Sequence, residues 1–136
     1  VHSYPGFPGT GTADEIGAVG AVGSNRNVPL AIGADDSIFC AAFEDALNNL
    51  ASTLQPTVIL VSAGFDAHIG DPLGAMRVSE AGFRRLTAAV SAAAQRWSGG
   101  RVLSFLEGGF DLQALANCAR IHVEELAAGV WEKADA

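Results

Sequence analysis

Two carboxylates and an imidazole share six consecutive residues, Asp66-Ala67-His68-Ile69-Gly70-Asp71, within "SAGFDAHIGDPLG" from Ser62 to Gly74. Side chains of these types can ligate a metal, support a ligand from behind, or simply organise a polar loop. The apolar run "TVILV" leads directly into them, so a buried strand would hold the backbone while the side chains meet a crevice. A carboxylate held that firmly suits a metal ion, which makes Asp66 the sharper candidate. The competing reading is a loop aspartate that caps its own turn. His68 and Asp71 are candidates to orient such a ligand, or else to organise the loop. A second polar stretch, "EGGFD" from Glu107 to Asp111, follows another apolar run, "RVLSFL". Ligands of open α/β sheets collect beyond the carboxyl ends of the strands, so the two stretches can form one composite site.

The elements that must carry these residues alternate in type. "SNRNVPL" (Ser24 to Leu30) is a short strand candidate. A helix is expected from Asp36, capped by Asp35 or Asp36, with Phe39, Phe43, Ala46, Leu47 and Leu50 on one face and an end before Pro56. Thr57 to Ala63 has the β-branched, two-faced apolar character of a strand in a covered parallel sheet. Ser79 caps a second helix that stops at "SGG". Arg101 to Glu107 forms the next strand, and Asp111 caps a third helix. The pattern predicts an α/β fold with a central parallel sheet and right-handed crossovers. Residues 1 to 24, with six glycines and two prolines, read as a long loop with neither helix nor strand leading into it.

Composition narrows the function classes. The chain has 136 residues, 49% of them hydrophobic and 17% charged, enough for one domain with a real core. A net charge of −7 without any Lys/Arg cluster argues against binding nucleic acid or acidic membrane. Cys40 and Cys118 lie in alanine-rich helical segments and read as buried thiols, not as a disulfide framework. No signal peptide or transmembrane run is visible, so a cytoplasmic location is the expectation. "GTGTADEIGAVGAVG" fails as a dinucleotide fingerprint, because no strand precedes it and no helix with a clean apolar face follows. His122, midway along an amphipathic helix, reads as structural.

Taken in order, "PGFPGTGTADEIG" (Pro5 to Gly17), "NVPL", "ILVSAGFDAHIGDPLG" and "LEGG" resemble the histone deacetylase family. The resemblance is strongest to its class II-like and bacterial amidohydrolase branch, acetylpolyamine amidohydrolases included. It runs from His2 to about Leu126, and "SAGFDAHIGDPL" is its specific part. It implies an arginase-like three-layer α/β fold and a Zn2+ held by two aspartates and one histidine. Asp66 matches one of those aspartates, Leu73 a wall of the acyl-lysine channel, and Gly108 and Gly109 the pair that lets backbone approach the site closely. The resemblance also allows a structural K+ in the whole protein. Its implied substrates are acetylated lysine or acetylated polyamines; oligomeric state is left open.

Two departures follow. The family's Asp-x-His ligand pair and tandem histidines precede the "PGTG" region and are not in these residues. The expectation is therefore that 1–136 is the C-terminal part of one deacetylase-like domain, inactive alone. A catalytic zinc needs three protein ligands, and one is present. The second departure is Phe110, where the family usually has a Tyr whose hydroxyl donates to the oxyanion. Phe fills that space without a donor. Two alternatives to an active deacetylase remain: a non-catalytic or weakly active acyl-lysine or metal-binding module, and an arginase-like manganese hydrolase.

Overall fold

The computed structural model describes residues 1–6 and 9–131; Phe7 and Pro8 of the opening motif lie outside the described residues. The chain runs β1 (His2–Ser3), β2 (Pro29–Leu30), α1 (Asp36–Leu54), β3 (Ile59–Gly64), α2 (Glu80–Trp97), β4 (Val102–Gly108) and α3 (Leu112–Trp131). Both strand pairs, β1–β2 and β3–β4, are parallel.

Local signals explain the helix starts. The Asp35 side chain accepts from the amides of Ser37 and Ile38 at the head of α1, and Ser79 accepts from Gly82 at the head of α2. Asp111 does the same for α3, accepting from Gln113 and Ala114 at 2.9 Å each. Gln55 ends α1 in the left-handed region, just before Pro56. A second cap joins elements: Asp36 accepts from the Ser79 amide at 2.7 Å and from its hydroxyl at 2.5 Å, tying the start of α1 to the start of α2.

Contrary to the loop reading of residues 1 to 24, the opening contains a strand. His2 and Ser3 pair with Pro29 and Leu30, and the strand expected over Ser24–Leu30 shrinks to those last two residues. Pro29 has no N–H, so the pairing runs from the His2 and Tyr4 amides to the carbonyls of Val28 and Leu30.

The three helices pack in sequence, α1 on α2 and α2 on α3. Their shared core joins Phe39 of α1, Phe83 of α2 and Cys118 of α3 to Ala63 of β3 and Phe65 just beyond it. The expectation of a sheet covered on both faces is met on this face only among the described residues. Leu60, Leu103 and Phe105 on the opposite face are exposed. β3 and β4 pair in steady register from Ile59↔Val102 to Ala63↔Leu106, then Gly64 pairs with Gly108. Glu107 is thus an extra residue in β4, a β-bulge at the sheet's carboxyl edge. Among the described residues no helix is long and apolar enough to cross a membrane.

Candidate functional site

Residues from the loops after β3 and β4 line one open cavity of about 990 Å³, among them Asp66, Leu73, Gly108, Gly109 and Phe110. The two polar stretches therefore share one cavity at the carboxyl edge. Asp66 lies two residues beyond β3, where the Phe65 amide still bonds the Gly108 carbonyl at 2.7 Å. Its side chain is exposed and makes no hydrogen bond among the described residues, so it does not cap its own turn. Leu73 and Phe110 are 72% and 60% exposed, two large apolar side chains at the rim of the same cavity.

Backbone stitching holds Asp66 in place. Val78 donates to the Ala67 carbonyl and Ile69 donates to the Val78 carbonyl, so the loop pairs with the segment entering α2. Gly74 completes the packing. A Cβ there would collide with the Asp66 carbonyl oxygen, well inside the 3.0 Å that real Cβ atoms keep. The glycines of the second loop serve differently. Gly108 has φ +148°, a conformation side chains rarely adopt, although a Cβ there would meet open space. At Gly109 an added Cβ would make ordinary contact with the Phe65 backbone at 3.5 Å.

His68 and Asp71 are both buried, and neither hydrogen-bonds the Asp66 carboxylate. His68 Nδ1 accepts from the Gly70 amide at 3.0 Å, which leaves the proton on Nε2, 3.6 Å from a Glu80 oxygen. Its ring stacks on Phe83, with centroids 6.3 Å apart. Asp71 accepts from four backbone amides: Leu73 and Gly74 in its own loop, Phe110 and Asp111 in the other. Burial pushes its carboxyl acidity weaker, but those four donors together outweigh burial and hold it below the usual carboxylate range.

His122 is buried and structural, as expected, but it does more than fill space. Thr87 Oγ1 donates to the Phe83 carbonyl, so it accepts from His122 Nδ1 at 2.8 Å. Nε2 is then left to accept from Ser104 of β4, also at 2.8 Å. Neutral imidazole suits this arrangement, and burial lowers its pKa from the ordinary 6.5. Both cysteines are buried free thiols, and burial pushes Cys118 up to about 11, which makes it a poor nucleophile.

Sequence reasoning did not single out Gly74, the Ser104–His122–Thr87 link or the reach of Asp71 to the second loop. The only cue to the first was the glycine closing "GDPLG". Among the described residues no three His, Cys, Asp or Glu side chains converge to hold a metal. Asp66, with both oxygens unengaged by hydrogen bonds, fits one place in a metal's ligand set.

The model of the histone deacetylase domain matches residues 1–126. A histone deacetylase-like amidohydrolase from Pseudomonas aeruginosa is 35% identical over 119 residues, 88% of this chain and 31% of that protein. The solved HD domain of HDA15 is 37% identical, with a TM-score of 0.81 over 90% of this chain and 33% of that one. The acetylpolyamine aminohydrolase of Burkholderia pseudomallei is 30% identical, with a TM-score of 0.75 over 88% and 33%. The chain spans about a third or less of the length of the curated relatives it matches.

Proposed function

Since this chain belongs to the histone deacetylase family, we propose that it supplies the C-terminal part of one arginase-like deacetylase domain, and that the complete protein hydrolyses N-acyl amides of lysine or polyamines. One observation carries the reading: an unengaged carboxylate, Asp66, shares a cavity with two apolar walls, Leu73 and Phe110, at the carboxyl edge of a parallel strand pair. An acyl-amide substrate needs that combination, an apolar slot leading to a charged floor. The amidohydrolase and acetylpolyamine aminohydrolase names among the relatives support the reaction class.

In this proposal Asp66 is one of three protein ligands to Zn2+, the rest lying outside residues 1–136. The ion, when bound, supplies Lewis acidity toward the acyl carbonyl and lowers the pKa of water. Leu73 and Phe110 line the acyl slot and exclude water from it. Gly108 and Gly109 keep the facing backbone free of side chains. His68 and Asp71 fix the loop that presents Asp66. A structural K+ in the complete protein belongs to the same proposal.

Phe110 carries a second reading. It has no hydroxyl to donate to a developing oxyanion, and losing one such donor costs about 100- to 1000-fold in turnover. A weakly active enzyme, or a module that binds acylated ligands without hydrolysing them, follows from that. The test is turnover of acetyl-lysine and acetylpolyamine substrates by the full-length zinc-loaded protein, beside Phe110→Tyr. Slow hydrolysis that rises about 100-fold with Tyr is expected. Fast natural turnover unaffected by Tyr would sink the oxyanion argument. Binding without turnover in either form would favour the module, and metal analysis giving manganese would favour an arginase-like hydrolase.

A further inference from the structure

We propose that Asp71 is a positioning residue, whose single buried carboxylate clasps the loop after β3 to the loop after β4 and so sets how Leu73 and Phe110 face each other. The geometry divides the carboxylate cleanly. Oδ1 accepts from the Leu73 and Gly74 amides at 2.9 Å each; Oδ2 accepts from Phe110 at 2.7 Å and Asp111 at 3.3 Å. Asp71 is 8% exposed, so water competes poorly for these bonds. Each oxygen thus holds the backbone of one cavity wall.

The clasp has consequences at both ends. On the β3 side it anchors Gly74, the residue that abuts the Asp66 backbone. On the β4 side it anchors Asp111, whose other role is to cap α3. Among the described residues no other hydrogen bond from a side chain of the β3 loop reaches the loop after β4. Phe110 and Asp111 take part in no ladder bond, so their backbone amides depend on this carboxylate. An amide side chain of the same shape cannot replace it. Asn has one acceptor oxygen, and its NH2 would point a donor at two donors.

The clasp itself is independent of the deacetylase reading; its bearing on turnover rests on that reading. The test is residue-resolved amide hydrogen exchange on the full-length protein, natural and Asp71→Asn, with turnover measured in parallel. In the natural protein the Leu73, Gly74 and Phe110 amides are expected to open together, with protection agreeing within about threefold. In Asp71→Asn one of the two amide pairs should exchange at least about tenfold faster while Val90 in α2 stays as it was. Independent opening of the two loops in the natural protein would overturn the clasp, even if the variant fails to fold. So would a rise in exchange no larger at the loops than at Val90. If the natural protein turns over, Asp71→Asn should lower kcat about tenfold or more with KM changed less. Looser loops with unaltered kcat would refute the positioning role, whereas absence of turnover in both forms would count against the deacetylase reading alone.

Discussion

The two loops that build the cavity are organised by opposite means. The loop after β3 is fixed by contact: it pairs with the segment before α2, seats His68 on Phe83 and presses Gly74 against Asp66. The loop after β4 is fixed by conformation and by a borrowed acceptor, with Gly108 at φ +148° and its amides on Asp71. Rigidity is concentrated where a metal ligand would need it, around Asp66. The wall carried by Phe110 is held at fewer points.

Substitutions can break or sharpen that contrast. Asp66→Asn has the largest expected effect on activity. If Asp66 holds the proposed zinc, its loss removes several kcal/mol of transition-state stabilisation, about a thousandfold or more in turnover of the full-length protein. Its exposed, unbonded side chain predicts a change in folding stability within about 0.5 kcal/mol, measurable by urea denaturation. Gly74→Ala should be the most damaging to the fold, by about 3 kcal/mol or more, because the obstacle is backbone and cannot swing away. Gly108→Ala should cost less, about 1–3 kcal/mol, since only the dihedral is strained and the space is open. If Gly108→Ala proved costlier than Gly74→Ala in the same denaturation series, the division between contact and conformation would be wrong.

The smallest effect is a pH dependence. His122 is neutral when folded and its pKa is lowered by burial. Its contribution is complete above the ordinary value of 6.5 and is lost as pH falls below it, because the unfolded state then binds the proton more readily. Melting temperatures read from pH 7.5 down to 5.5 should fall more for the natural protein than for His122→Gln. Equal slopes would remove His122 from the account.

What could be read from the sequence was local. Asp35, Ser79 and Asp111 each cap a helix two or three residues away, so residue type and position sufficed. Strand positions β3 and β4 followed from short apolar runs, and the motif residues Asp66, Leu73 and Phe110 share a cavity because both strands end at one edge. What was missed depends on separation along the chain. Asp71 meets Phe110 39 residues on, and His122 meets Thr87 across 35. The β1–β2 pair joins residues far apart through only two positions each, too short for alternation to register. Gly74 could not be told from a loop glycine without knowing what lies beside it. The covered sheet was inferred from apolar residues on both faces of β3, yet Leu60 on one face stays exposed among the described residues.

The extra residue at Glu107 sets how the chain leaves β4. Side chains along a strand alternate sides with a period of two, so one surplus residue shifts the phase of everything after it by half a period. Gly108 therefore pairs with Gly64, the position after Ala63, where unbroken alternation would have put Glu107. Deleting Glu107 would remove a charge and the bulge together: Gly108 would follow Leu106 in regular register, still opposite Gly64, and the second loop would lose the local bend and added twist with which it now leaves the sheet.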